Sequence, residues 1–138
     1  MKTTVQSKWK GNLVFESMVG DHPVVTDAPV EFGGDNSGAS PKKLMLTALA
    51  GCTGIDVTSI LEKMRVRIDD LEITVEAEAT EDVPSVYTAM HIIYAFTGDD
   101  LDEKKLSKAI QLSHEKYCGV SKMYESFLKI SWEIQIVQ

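Results

Sequence analysis

Cysteine is scarce in this sequence. Cys52 and Cys118 are the only two, 66 positions apart. Two cysteines cannot supply the disulfide framework of a small secreted domain, and 138 residues are enough to bury a core without one. No C-x-x-C and no H-x-x-x-H occurs, so the clustered spacing of a structural zinc site is missing. G-x-S-x-G, G-x-G-x-x-G and Walker sequences are absent as well, which removes the local marks of a serine hydrolase elbow and of nucleotide binding. Positive charge is in deficit: 14 Lys and Arg face 21 Asp and Glu, a net charge of -7. Such a surface repels nucleic-acid backbones and anionic membranes. The uncharged stretch Leu44–Ile55 is shorter than the roughly 20 residues of a membrane span. Met1–Val5 shows no apolar signal core, and the expected location is the cytoplasm. With 43% hydrophobic and 25% charged residues, the chain reads as one globular domain, 1–138.

The pattern of what is there predicts an α+β fold. Val5–Trp9 and Leu13–Met18 read as short strands around a Gly11-Asn12 turn, and a third lies near Val24–Thr26. Gly33–Gly38 reads as a flexible loop. Ser40-Pro41 opens a helix to about Met64, uncharged on every face from Leu44 to Ile55 and so expected to be central and buried. Leu71–Ala79 alternates apolar and acidic residues and is a half-buried strand; Val86–Thr97 is its partner. Asp100 with Glu103 forms an acidic capping box for a second helix, with Leu106, Ala109, Ile110, Ser113 and Tyr117 on its inner face. Gly119 interrupts it, a short helix follows to about Ser126, and Ile130–Ile136 is the last strand. The order β-β-β-α-β-β-α-α-β groups strands and helices instead of alternating them. Trp9 and Trp132 are expected in or over the sheets.

Both cysteines sit in unusual local sequence. Gly51 and Gly54 flank Cys52 within the helix, each costing about 1 kcal/mol of helix stability. Close packing against another element, or room for a ligand beside the sulfur, are the two readings; a plain core cysteine remains a third. Cys118 precedes Gly119, where a new helix begins, and the amides there favour a thiolate. Two thiols that meet can form a redox pair, one attacking peroxide and the other resolving the sulfenic acid.

Ser40-Pro41-Lys42-Lys43-Leu44 followed by Ala48-Leu49-Ala50-Gly51-Cys52 resembles the P-x-x-L…A-x-C pattern of OsmC/Ohr proteins. Glu115-Lys116-Tyr117-Cys118-Gly119-Val120-Ser121 is similar to the second-cysteine segment of the same family, and Gly51–Leu61 is especially like its YhfA-like branch. The resemblance implies an OsmC-like fold, antiparallel-rich sheets around a long buried central helix, and an intertwined homodimer with sites at its interface. It implies a thiol peroxidase that reduces organic, or inorganic, hydroperoxides. Cys52 would be the peroxidatic and Cys118 the resolving residue. The reductant would be a dithiol, of the lipoamide or thioredoxin type, and no metal or organic cofactor would be needed.

The sequence departs from that family in the residues that tune the thiolate. The better-known peroxidases pair an N-terminal Arg with a Glu just after the helix-starting Pro. Here Lys42 and Lys43 stand in the second segment and no Arg precedes Arg65. These lysines lie nine or ten residues from Cys52, roughly 14 Å along a helix, so they would act only across a dimer. Asp56, four residues after Cys52, shares its helix face; it suppresses thiolate, takes up a proton, or plays a surface role. Two other classes compete. One is a non-catalytic small-molecule or lipid-binding protein, with Met45, Leu49 and Met123, and also Ile55, Met90 and Phe127, as candidate pocket residues. The other is a metal site made by Cys52, Cys118 and His114, with His22 or His91 as further ligands.

Overall fold

The protein is described by a computed structural model of residues 1–137. The chain falls into two compact units, Met1–Met45 and a second that begins at Leu46. In the first, β1 (Gln6–Trp9), β2 (Phe15–Val19) and β3 (His22–Thr26) form an antiparallel meander in the order β1-β2-β3. The Gly11-Asn12 turn has φ of 107° and 45°, which the sequence anticipates. The Trp9 indole N–H donates to the Asn12 carbonyl at 2.7 Å, so this exposed ring braces the turn and does not pack over the sheet.

The glycine-rich loop is held, not loose. Buried Asp27 accepts from the amides of Ala28, Asp35 and Ser37 and from the Ser37 hydroxyl, at 2.7–3.1 Å. Those bonds, led by the Ser37 amide, hold its carboxyl down at about 2. Gly34 sits so close to the Ala28 carbonyl that a Cβ there would collide with it.

The second unit contains most of α1 (Leu44–Lys63), which follows a 3-10 turn, Pro41–Lys43. Pro41 takes the first helical position, but Ser40 makes no side-chain cap bond. β4 (Asp70–Ala79) pairs antiparallel with β5 (Tyr87–Thr97), and β6 (Lys129–Val137) lies parallel on β5's other side. The alternation predicted for β4 and β6 sets their inward faces. Central β5 supplies Met90, Ile92, Tyr94 and Phe96, all fully buried. α2 (Glu103–Leu112) adds Leu106, Ala109 and Ile110 to the core. Its N-cap is Asp102, which accepts from the Lys104 amide, two residues later than the expected box because Asp100 has φ of 51°.

α1 is not buried on every face. Leu49, Thr53, Val57 and Leu61, one per turn, are buried; Ala48, Gly51 and Ile55 are exposed. Pro41–Lys63 is long and apolar enough, by length and composition, to cross a membrane, so the shortness of Leu44–Ile55 does not by itself separate it from a span. Gly54 brings α1 against β4: a Cβ there would stand 3.1 Å from Ile73 Cδ1, whereas at Gly51 it would meet nothing.

α2 does not end cleanly. It passes into a π-helical turn, Ser113–Tyr117, before Cys118 and α3 (Gly119–Tyr124). The wider turn shifts the helical phase. Ser113 stays inside as expected, but Tyr117 is 61% exposed, not on the inner face.

Candidate active site

Cys52 and Asp56 project from successive turns of α1. Cys118 arrives from the end of the π-turn, its amide bonded to the Ser113 carbonyl at 2.7 Å. One ligating atom from each of the three lies within 4.8 Å of the other two. Both thiols are free. Cys118 is buried and Cys52 half-buried, so the two sulfurs differ in access.

Their electrostatics also differ from the helix-terminus expectation. Cys118 caps α3, its sulfur accepting the Ser121 N–H at 3.3 Å. Burial nevertheless pushes its thiol up to about 12, with Cys52 and Asp56 adding to the rise against the Ser121 amide. The desolvation cost outweighs one amide on a six-residue helix, and Cys118 is a thiol at neutral pH.

Behind the sulfurs runs a chain of polar side chains that no local motif announces. Ser113 donates to Asp56 Oδ2 at 3.0 Å. Thr53 Oγ1 lies 2.9 Å from Ser113 Oγ and 2.8 Å from the Tyr94 hydroxyl. That hydroxyl is 3.0 Å from His114 Nε2, and His114 Nδ1 is 2.8 Å from Ser121 Oγ. Each hydroxyl has one proton to give. Because Ser113 donates to Asp56, Thr53 donates to Ser113, Tyr94 to Thr53, His114 Nε2–H to Tyr94, and Ser121 to Nδ1. The six groups therefore point one way, toward the carboxylate. Burial lowers the His114 pKa, opposed by Glu125 and Asp56, which suits the neutral tautomer that this order requires. Among the described residues no buried side-chain N or O lacks a partner.

The remaining sequence candidates fall elsewhere. Lys42, Lys43 and Met45 belong to the first unit. Leu49 and Met90 are core, with no exposure, while Met123 and Phe127 are exposed. His22 lies on β3, and His91 is bonded to Ser131 and Glu133. With both His114 nitrogens taken, Asp56, and not a histidine, stands third beside the cysteines. A cavity of about 350 Å³ opens at Asp56, lined by Ile55, Ser59, Ile60, Lys63, Leu112 and Tyr117.

Residues 34–133 match the family described as OsmC-like protein. The chain belongs to the OsmC family. Protein YhfA of Escherichia coli K12 is 36% identical over 132 residues, covering 94% of this chain and 95% of its own. A hypothetical protein of Aquifex aeolicus VF5 is 30% identical with a TM-score of 0.82, each chain covered over 100%. The organic hydroperoxide resistance protein OhrB of Bacillus subtilis shares the fold, at a TM-score of 0.69 and 19% identity over 98% of both chains. The α+β architecture with two small sheets and a long central helix is thus that of OsmC and Ohr proteins.

Proposed function

We propose that this OsmC-family protein is a thiol peroxidase acting on organic hydroperoxides, with Cys52 as the attacking and Cys118 as the resolving residue. The observation that carries the reading is the meeting of two free thiols and a carboxylate within 4.8 Å. Cys52 is the more accessible sulfur. Asp56 takes its proton, and the thiolate attacks the distal peroxide oxygen. An S–O bond forms, the O–O bond breaks, and the alkoxide leaves as alcohol with the proton from Asp56. Cys118, kept as a thiol by burial, then attacks the sulfenic sulfur; the disulfide forms and water leaves. An external dithiol, of lipoamide or thioredoxin type, reduces the disulfide. The Ser113 bond to Asp56 orients the carboxylate in place of the family's Arg–Glu pair, with Lys42 and Lys43 as auxiliary charges across a dimer.

The same reading takes 1–138 as one cytoplasmic OsmC-like domain that works as a homodimer. Ala48, Gly51 and Ile55 form an exposed stripe on α1, and a second copy covering it would explain why Gly51 faces open space. The acidic surface argues against nucleic acid as a partner. A second reading, a non-catalytic small-molecule binder, is favoured by the cavity at Asp56, whose apolar walls end at Lys63.

Stoichiometric organic hydroperoxide added to the reduced protein separates the two. Rapid formation of the Cys52–Cys118 disulfide, with sulfenic acid trapped at Cys52 in Cys118→Ser, supports the peroxidase. Thiols oxidising no faster than free cysteine leave the binder as the account.

A further inference from the structure

We propose that the reduced protein binds one zinc ion through Cys52 Sγ, Cys118 Sγ and a carboxylate oxygen of Asp56, with water in the fourth position. The donor set selects the metal. Two thiolates exclude calcium and magnesium, which take oxygen ligands, and suit a borderline-soft ion with no redox chemistry of its own. Three protein ligands and one open position are the arrangement of a reactive zinc site, not of a closed structural one.

The geometry is close to what such an ion needs. Tetrahedral bonds to sulfur and oxygen hold ligand atoms roughly 3.5–3.8 Å apart. The three atoms here lie within 4.8 Å of one another, so the site closes by about 1 Å or less. Cys52 and Asp56 share a helix face at i and i+4, which chelates from a rigid element. Cys118 closes the site from the end of the π-turn. Half-buried Cys52 and Asp56 leave the ion a path in and a place for its water.

An outer shell is already built. Ser113 donates to Asp56 Oδ2 at 3.0 Å, and Ser113 is itself held by Thr53. The Ser121 amide donates to Cys118 Sγ at 3.3 Å. Bonds of this kind orient ligands and sharpen affinity. His114 takes no part, since both its nitrogens are engaged.

A divalent cation also resolves the site's electrostatic conflict. Without one, burial and the neighbouring carboxylate hold Cys118 protonated; a coordinated thiol is deprotonated outright. On binding, two Zn–S bonds form, the two thiol protons pass to solvent, and zinc stays divalent. A Cys52–Cys118 disulfide removes both sulfur ligands, so zinc and disulfide exclude each other.

The test is a titration of the reduced full-length protein with Co²⁺ and then Zn²⁺, which requires no hydroperoxide turnover and so stands apart from the peroxidase assay. One Co²⁺ per chain, with a sulfur-to-cobalt charge-transfer band and the strong visible bands of a tetrahedral ion, is expected, and Zn²⁺ displaces it. Cys52→Ser and Cys118→Ser each lose much of the charge-transfer band. Asp56→Asn keeps that band but binds more than tenfold weaker, Ser113→Ala is weaker by about 10–100-fold, and His91→Ala titrates as wild type. A second measurement needs no variant: Zn²⁺ should slow alkylation of both thiols in the wild type, followed by mass spectrometry. No charge-transfer band, wild-type affinity in Asp56→Asn, or unchanged alkylation rates would overturn the site.

Discussion

Replacing Tyr94 by Phe isolates the polar chain behind the sulfurs. The ring stays, and with it the stacking on Phe96 at 6.5 Å and the edge contact with Trp132 at 6.3 Å. Only the hydroxyl goes, and with it the contacts to Thr53 at 2.8 Å and His114 at 3.0 Å. The direction of the chain sets the cost. Thr53 still donates to Ser113 and loses only a bond it accepted, about 1 kcal/mol. His114 keeps a half-buried Nε2–H with no acceptor, about 1–3 kcal/mol. The sum, roughly 2–4 kcal/mol, is a large share of the 5–15 kcal/mol that typically holds a domain together. At a urea slope of about 2 kcal/mol/M, the midpoint should fall by roughly 1–2 M with the slope unchanged. The assay is urea unfolding under reducing conditions at fixed protein concentration. Thr53→Val combined with Tyr94→Phe should cost less than the two singles added, by about 0.5 kcal/mol or more. A loss below about 0.5 kcal/mol for Tyr94→Phe, or strict additivity, would refute the one-way chain.

The other expectations concern titration and packing. His114 has its pKa lowered from 6.5 in the fold, so the unfolded chain binds more protons below that pH. Stability should be full above about 6.5 and decline as the pH falls below it; His114→Gln should flatten that limb of the denaturation profile. Asp27 is depressed from 3.8 to about 2: its contribution is present above 3.8 and lost as the pH falls through 2, and Asp27→Asn should remove this acid limb in a circular-dichroism titration. Gly51→Ala meets open space and should strengthen α1 by up to about 1 kcal/mol while weakening self-association, as sedimentation would read. Gly54→Ala, whose Cβ must displace Ile73 Cδ1 at 3.1 Å, should gain less stability than Gly51→Ala or lose some; an equal gain for the two would contradict the α1–β4 approach.

Where the sequence pattern is local, it reads directly into structure. The alternation of Leu71–Ala79 becomes β4 because a period of two survives any packing, and i,i+4 spacing places Asp56 beside Cys52 because both ride one helix. The Ser40-Pro41 and Gly51–Gly54 segments mark α1 and its approach to the sheet for similar reasons. The hydroxyl chain is different. Thr53, Tyr94 and Ser113 come from α1, β5 and the π-turn, and no spacing rule joins residues 41 and 60 positions apart. A serine within a helix and a tyrosine within a strand read as ordinary pattern members until the elements pack. Cys118 misleads for another reason: its place before a helix argues for thiolate, and only burial, which the local sequence does not carry, reverses the sign.

The π-turn at Ser113–Tyr117 makes the distance between the thiols a matter of counting. A π-turn holds one residue more than the α-turn it replaces. Deleting a residue there restores an unbroken helix and rotates the next segment by roughly 100°, swinging Cys118 away from Cys52 and Asp56 while leaving every side chain of the cluster chemically intact. A substitution can only weaken a partner; a one-residue deletion uncouples the pair outright. The spacing between Ser113 and Cys118 is therefore as much a part of the chemistry as the sulfurs, and relatives that differ there by an insertion or deletion would keep both cysteines and lose their conversation.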